Sequence, residues 1–150
     1  ADRPPIALRT SPLADLDVDL LVVPWFTNEP PAALAALNEA TGGELARARA
    51  SGELTGKPYE SLITPLTDRR WKAARVLIVG AGPREEYGTD LARRVATAGG
   101  AMARTRRVAR LAFVLRAGQP DASGDVDVAS FVQATAEGLT LGEFHGGSYK

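Results

Sequence analysis

From residue 17 to 26 the chain reads DVDLLVVPWF, polar at its first and third positions and hydrophobic almost without a break afterwards. A run of that length, partly β-branched, predicts a strand buried on both faces. The pattern returns at ARVLIVGA (74–81), the strongest strand signal in the sequence, and at RLAFVLR (110–116). YESLITPL (59–66) alternates as a strand should, and IALRT (6–10) reads as a short opening strand.

Helical patterns lie between these runs. PPAALAALNEATGG (30–43) has prolines where a first turn tolerates them, alanine and leucine inside, and a glycine pair where a helix stops; ELARARASG continues as a second helical stretch. Thr89 is placed to cap a longer helix, which carries Leu91, Val95, Ala98 and Met102 on one face. Gly99 and Gly100 inside it cost about 1 kcal/mol each, which predicts close packing against a neighbouring backbone. GQPDASGD then reads as a loop and VDVASFVQATAEGL (126–139) as a final helix. Strands alternating with helices, several apolar throughout, predict one layered α/β domain on a mainly parallel or mixed sheet.

Composition narrows the function classes. The 150 residues are 45% hydrophobic and 24% charged, enough for one core without a disulfide or metal staple. Eighteen basic residues balance eighteen acidic ones, so no overall field draws the chain to nucleic acid or anionic lipid. Cysteine is absent, which excludes thiol catalysis and thiolate metal sites and fits a reducing compartment. No apolar run approaches the ~20 residues of a membrane span, so the expected location is cytoplasmic.

The candidate chemistry begins at VLIVGAGPREEYGTD (76–90), where a strand runs into Gly80-Ala81-Gly82 ahead of a helix. Bare glycines there would let backbone N–H groups approach a phosphate, with Arg84 nearby. The dinucleotide fingerprint needs a third glycine at 85, where Glu85 stands beside Glu86; with Asp90 these crowd the turn with negative charge. LTGKP (54–58) lacks the glycine and hydroxyl of a P-loop, having Ser51 and Pro58 instead. Asp15, Asp17 and Asp19 have the spacing of calcium-loop ligands, but Leu20 and Phe26 replace the glycine and glutamate that loop requires. The single histidine, His145, lies in a glycine-rich tail. Arg104, Arg106, Arg107 and Arg110 form a basic cluster that could touch nucleic acid, but cations at a helix C-terminus complement its dipole, and that explanation is preferred.

Four segments in order resemble the N-terminal domain of the leucyl aminopeptidase (cytosol aminopeptidase) family: DVDLLVVPWF, GELTGKPYESLIT, ARVLIVGAGPREEYGTDLARRVATAGG and TAEGLTLGEFHGGSYK. In the last, Ala136, Glu137, Gly138, Leu141, Phe144, Tyr149 and Lys150 occupy the places of the family's closing helix and Tyr-Lys; Ala81 departs from its usual Gly-Leu-Gly, and His145 to Ser148 from its aromatic-charged stretch. The resemblance implies a macro-domain-like three-layer α/β/α fold with a mixed, mainly parallel sheet. It further implies a single non-catalytic domain over 1–150, with no cofactor of its own. A C-terminal catalytic domain would carry two divalent metals, zinc or manganese, and would be the chain's main partner within a hexamer. Leu139, Leu141 and Phe144 would then gain burial against that domain. The alternative function is a macro-like module binding ADP-ribose or a nucleotide at Gly80, Gly82 and Arg84, for which the local negative charge predicts affinity weaker than millimolar.

Overall fold

A computed structural model describes residues 12–116. Its elements in order are β1 (Leu20–Phe26), α1 (Ala35–Ala40), α2 (Glu44–Ala50), β2 (Ser61–Pro65), β3 (Arg75–Gly82), α3 (Thr89–Thr105) and β4 (Leu111–Phe113), with short 3-10 turns at Leu13–Asp15, Pro31–Leu34 and Arg84–Glu86. The expected strand at 6–10, the loop at 118–125, the final helix at 126–139 and the closing segment with His145 lie outside the described residues.

The strands form one four-stranded sheet in the order β2-β3-β1-β4. β3 and β4 flank β1 in parallel, and β2 pairs antiparallel on the outer side of β3. All seven residues of β1 are buried, as its unbroken apolar pattern predicts for the middle of a sheet covered on both faces. Period-two alternation then divides the core. Leu20, Val22, Leu77, Val79 and Ala81 join Val95, Ala96 and Ala103 of α3, while Leu21, Val23, Trp25, Val76 and Ile78 join Leu37, Leu45 and Ala48 from α1 and α2. Helices on opposite faces of the sheet make three layers.

Several boundaries differ from expectation. The 30–43 segment is not one helix: Pro31–Leu34 forms a 3-10 turn before α1 begins, because consecutive prolines leave the first turn short of donors. Thr89 does not cap α3; Gly88 holds that place with no side-chain hydrogen bond, and Thr89 is the first helical residue. The buried face of α3 runs through Ala92, Val95, Ala96, Gly99, Gly100 and Ala103, with Leu91, Ala98 and Met102 only partly buried at its margins. Gly99 does mark a close approach, but to a side chain: a Cβ there would lie 2.8 Å from Val22 Cγ1.

All three helices end in the same hydrogen-bond pattern. Gly42 and Gly43 donate to Glu39 and Asn38, Gly52 and Glu53 to Arg49 and Ala48, and Arg107 and Val108 to Arg104 and Ala103. The reversing residue takes positive φ each time, +74° at Gly42, +80° at Gly52 and +55° at Arg107.

Candidate functional site

In an open α/β sheet, ligands sit beyond the carboxyl ends of parallel strands, where neighbouring strands send their connections to opposite faces. β1 leads to α1 and α2 on one face; β3 leads to α3 on the other. The crevice between the ends of β1 and β3 is therefore the position this topology offers.

Gly80 and Gly82 stand at that crevice, though not in a loop opening a helix as the sequence suggested. Both lie within β3, opposite Trp25 and Phe26, and the register shifts there so that Ala81 has no partner. The bulge turns Gly82 to φ +76°, and its N–H donates to the Gly56 carbonyl at 2.9 Å. Its carbonyl accepts the Thr27 N–H at 2.9 Å.

The crevice is filled by the chain itself. Residues 54–60 cross it as a strap, the same LTGKP stretch that the P-loop comparison excluded. Gly56 lies so close to β1 that a Cβ would come within 2.5 Å of the Phe26 carbonyl oxygen, and at Gly80 a Cβ would come within 1.8 Å of the Lys57 carbonyl oxygen. Glycine at 56 and 80 is thus a condition for seating the strap. The Gly56 carbonyl also accepts the Thr27 hydroxyl at 3.3 Å, and the Tyr59 N–H donates to the Gly80 carbonyl at 2.8 Å. Glu60 closes the strap from inside: its carboxylate accepts the N–H groups of Thr55 and Gly56 at 2.5 and 2.9 Å and the Thr55 hydroxyl at 2.9 Å.

A second cluster surrounds Phe26. Tyr87 meets its ring edge-on with centroids 5.0 Å apart, and the guanidinium groups of Arg84 and Arg116 lie 5.6 and 5.0 Å from its centroid. Arg116 is bound to both carboxylate oxygens of buried Glu29 and donates to the Pro24 carbonyl at 2.8 Å. Burial raises the Tyr87 phenol above its ordinary value, against the opposing charge of Arg116. The Arg84 guanidinium is thus engaged with an aromatic face at the end of β1.

The acidic turn expected at the start of α3 is partly neutralised. Asp90 pairs with Arg93 at 3.3 Å and Arg94 at 3.2 Å, while Glu85 and Glu86 are exposed in the 3-10 turn. Of the arginine cluster, Arg104 lies in the last turn of α3, Arg106 is its cap, Arg107 reverses the chain and Arg110 approaches Asp17 at 3.9 Å. Asp19 accepts the N–H groups of Ala109 and Arg110 at 3.1 and 2.9 Å. Among the described residues no group of three His, Asp or Glu side chains is placed to hold a metal, and no helix is long and apolar enough to cross a membrane.

Sequence reasoning missed Gly56, Glu60, Glu29 and Arg116. Gly56 carried a signal, a glycine between polar residues just before a strand; the three charged residues carried none, because their partners are distant or set by a loop's path.

Comparison with known proteins places this geometry. The profile of the cytosol aminopeptidase family's N-terminal domain matches residues 22–150. A probable cytosol aminopeptidase of Solibacter usitatus (strain Ellin6076) is 30% identical over 145 residues, covering 97% of this chain and 27% of that protein. The chain thus spans about a quarter of the length of the curated relatives it matches. Among solved structures, the macrodomain of Mycobacterium tuberculosis DarG superposes with a TM-score of 0.67 at 14% identity, covering 97% of this chain and 95% of that one. The bottromycin maturation enzyme BotP, solved in complex with Mn, gives 0.55 at 23% identity over 83% of this chain and 23% of its own. At these identities the likeness is one of fold, a macro-domain-like three-layer α/β/α arrangement.

Proposed function

The chain belongs to the cytosol aminopeptidase family, matching its N-terminal domain, and from that premise we propose that it is a non-catalytic assembly and regulatory domain of a two-metal aminopeptidase. The whole enzyme would release N-terminal amino acids from peptides. The observation that carries this reading is the filled crevice: the position where the fold would take a ligand is occupied by Gly56 and Lys57, whose carbonyls lie against Thr27, Gly80 and Gly82. A domain closed in this way serves its neighbours through its surface. In this reading the two divalent metals, zinc or manganese, activate water in a separate catalytic domain. That domain is the chain's nearest partner, and the enzyme works as a hexamer in the cytoplasm.

The test compares this chain with the whole protein on a leucine anilide substrate in manganese or zinc. The whole protein is expected to turn over in a chelator-sensitive way and the chain alone not at all. Chelator-sensitive turnover by the chain alone would overturn the proposal.

A further inference from the structure

Beyond Leu54, whose side chain anchors the start of the strap in the core, hydrogen bonds and a tight backbone fit hold the strap in the crevice. Lys57, Pro58 and Tyr59 are exposed on its outer side, and Tyr59, the large hydrophobic residue most exposed among those described, is 43% accessible. No apolar side chain of residues 55–59 enters the core clusters, so lifting this stretch uncovers no hydrophobic surface of its own. It is also strained: Tyr59 has φ +67°, a conformation that costs a residue with a Cβ and that an open strap would relieve. What opposes opening are the backbone bonds that join Thr55, Gly56, Tyr59 and Glu60 to Asn28, Gly80 and Gly82, together with the Glu60 carboxylate, which gathers three donors from Thr55 and Gly56 and so fixes the curl that carries the Gly56 carbonyl to Gly82 and Thr27.

Beneath the strap the strand ends are suited to a ligand. Gly80 and Gly82 present no side chains, and the Gly82 N–H and Thr27 hydroxyl are donors whose present acceptor is the strap's own carbonyl. A group bearing acceptor oxygens, such as a diphosphate, matches that donor pair.

We infer that residues 54–60 are an autoinhibitory strap, latched by Glu60, that covers a latent oxyanion crevice between the ends of β1 and β3. The inference concerns this chain's own crevice and stands apart from the peptidase reading, because its test involves no turnover.

Two variants release the strap by different routes. Glu60→Ala removes the latch; Gly80→Ala keeps the Glu60 carboxylate but places a methyl 1.8 Å from the Lys57 carbonyl oxygen, so the strap must lift. Amide exchange followed by NMR, with inorganic pyrophosphate as the probe, reads the result. Each variant is expected to speed exchange at Gly82 and Asn28, which donate to Gly56 and Thr55, on the order of tenfold or more while Val76 to Val79 keep their protection. Pyrophosphate should then shift the Thr27 and Gly82 resonances in the variants and leave the wild-type chain unchanged at the same millimolar concentration. If one variant does not fold, the other carries the test. Unchanged exchange, loss of protection across all of β3, failure of both variants to fold, or an opened crevice that pyrophosphate does not reach would overturn the inference.

Discussion

Arg116 reaches back from beyond the end of β4 to grip the Glu29 carboxylate, 87 positions earlier in the chain, and ties the last described residue to the turn that follows β1. Both groups are largely buried, with side-chain exposures of 14% and 6%, and Glu29 also accepts the Phe26 N–H at 3.1 Å. The attraction of such a pair is offset by its desolvation, but breaking it strands a charge. Arg116→Met is therefore expected to cost about 3–5 kcal/mol in urea unfolding. Adding Glu29→Leu should restore part of that. A single-variant loss below about 1 kcal/mol would show that Glu29 finds other solvation.

Tyr87 gives the chain an alkaline limit. Burial holds its phenol protonated above the ordinary value of 10.0, so in alkali the unfolded state releases this proton before the folded one does. Stability from this group is fully present below about pH 10 and declines as the pH rises above it. Tyr87→Phe should flatten that decline. Equal alkaline slopes for wild type and variant in thermal melts between pH 9 and 11 would contradict the assignment.

Gly99 and Val22 mark a close approach between α3 and the sheet. Alanine at 99 would ordinarily favour the helix by up to about 1 kcal/mol. Here its Cβ would lie 2.8 Å from a branched side chain fixed in the central strand, and overpacking costs about 1–3 kcal/mol. Gly99→Ala is thus expected to destabilise by roughly 1 kcal/mol net, with Val22→Ala relieving it in the double variant. Stabilisation by Gly99→Ala alone would mean that α3 can move off the sheet.

Arg107 occupies the left-handed position that glycine fills at the ends of α1 and α2. That conformation costs a side-chain-bearing residue about 1–2 kcal/mol. Arg107→Gly should consequently raise stability by about 1 kcal/mol, less whatever backbone freedom the glycine adds to the unfolded chain. A drop in melting temperature would indicate that the guanidinium contributes more than the strained backbone costs.

How far the fold was legible follows from which forces leave a local trace. The unbroken run from Leu20 to Phe26 announced a strand buried on both faces, and the Gly42-Gly43 pair announced a helix end, because burial and positive φ select residue types directly. Arg107 left no such trace, since its reversal is enforced by Val108 and Ala103 settling into the core rather than by its own preference. The site was legible only by position. Gly80 and Gly82 suggested a phosphate turn, yet Gly80 lacks a side chain because the Lys57 carbonyl sits where one would be, and Gly82 because the bulge turns it to φ +76° close against the Pro58 ring. No local pattern could have identified that contact, because it depends on the path of a loop more than twenty residues away.

The order of strands in the sheet bears on how the chain is made. β1 is the first described strand to leave the ribosome, yet its neighbours β3 and β4 follow only after α1, α2 and β2 have been synthesised. At about 5–20 residues per second, Leu20–Phe26 spends several seconds as an unpaired apolar segment on the nascent chain. Pro24 at its centre lacks an N–H, and such a residue weakens pairing between identical strands of neighbouring nascent chains on one messenger. A proline within the most hydrophobic strand is thereby suited to protect it during the interval when it has no partner.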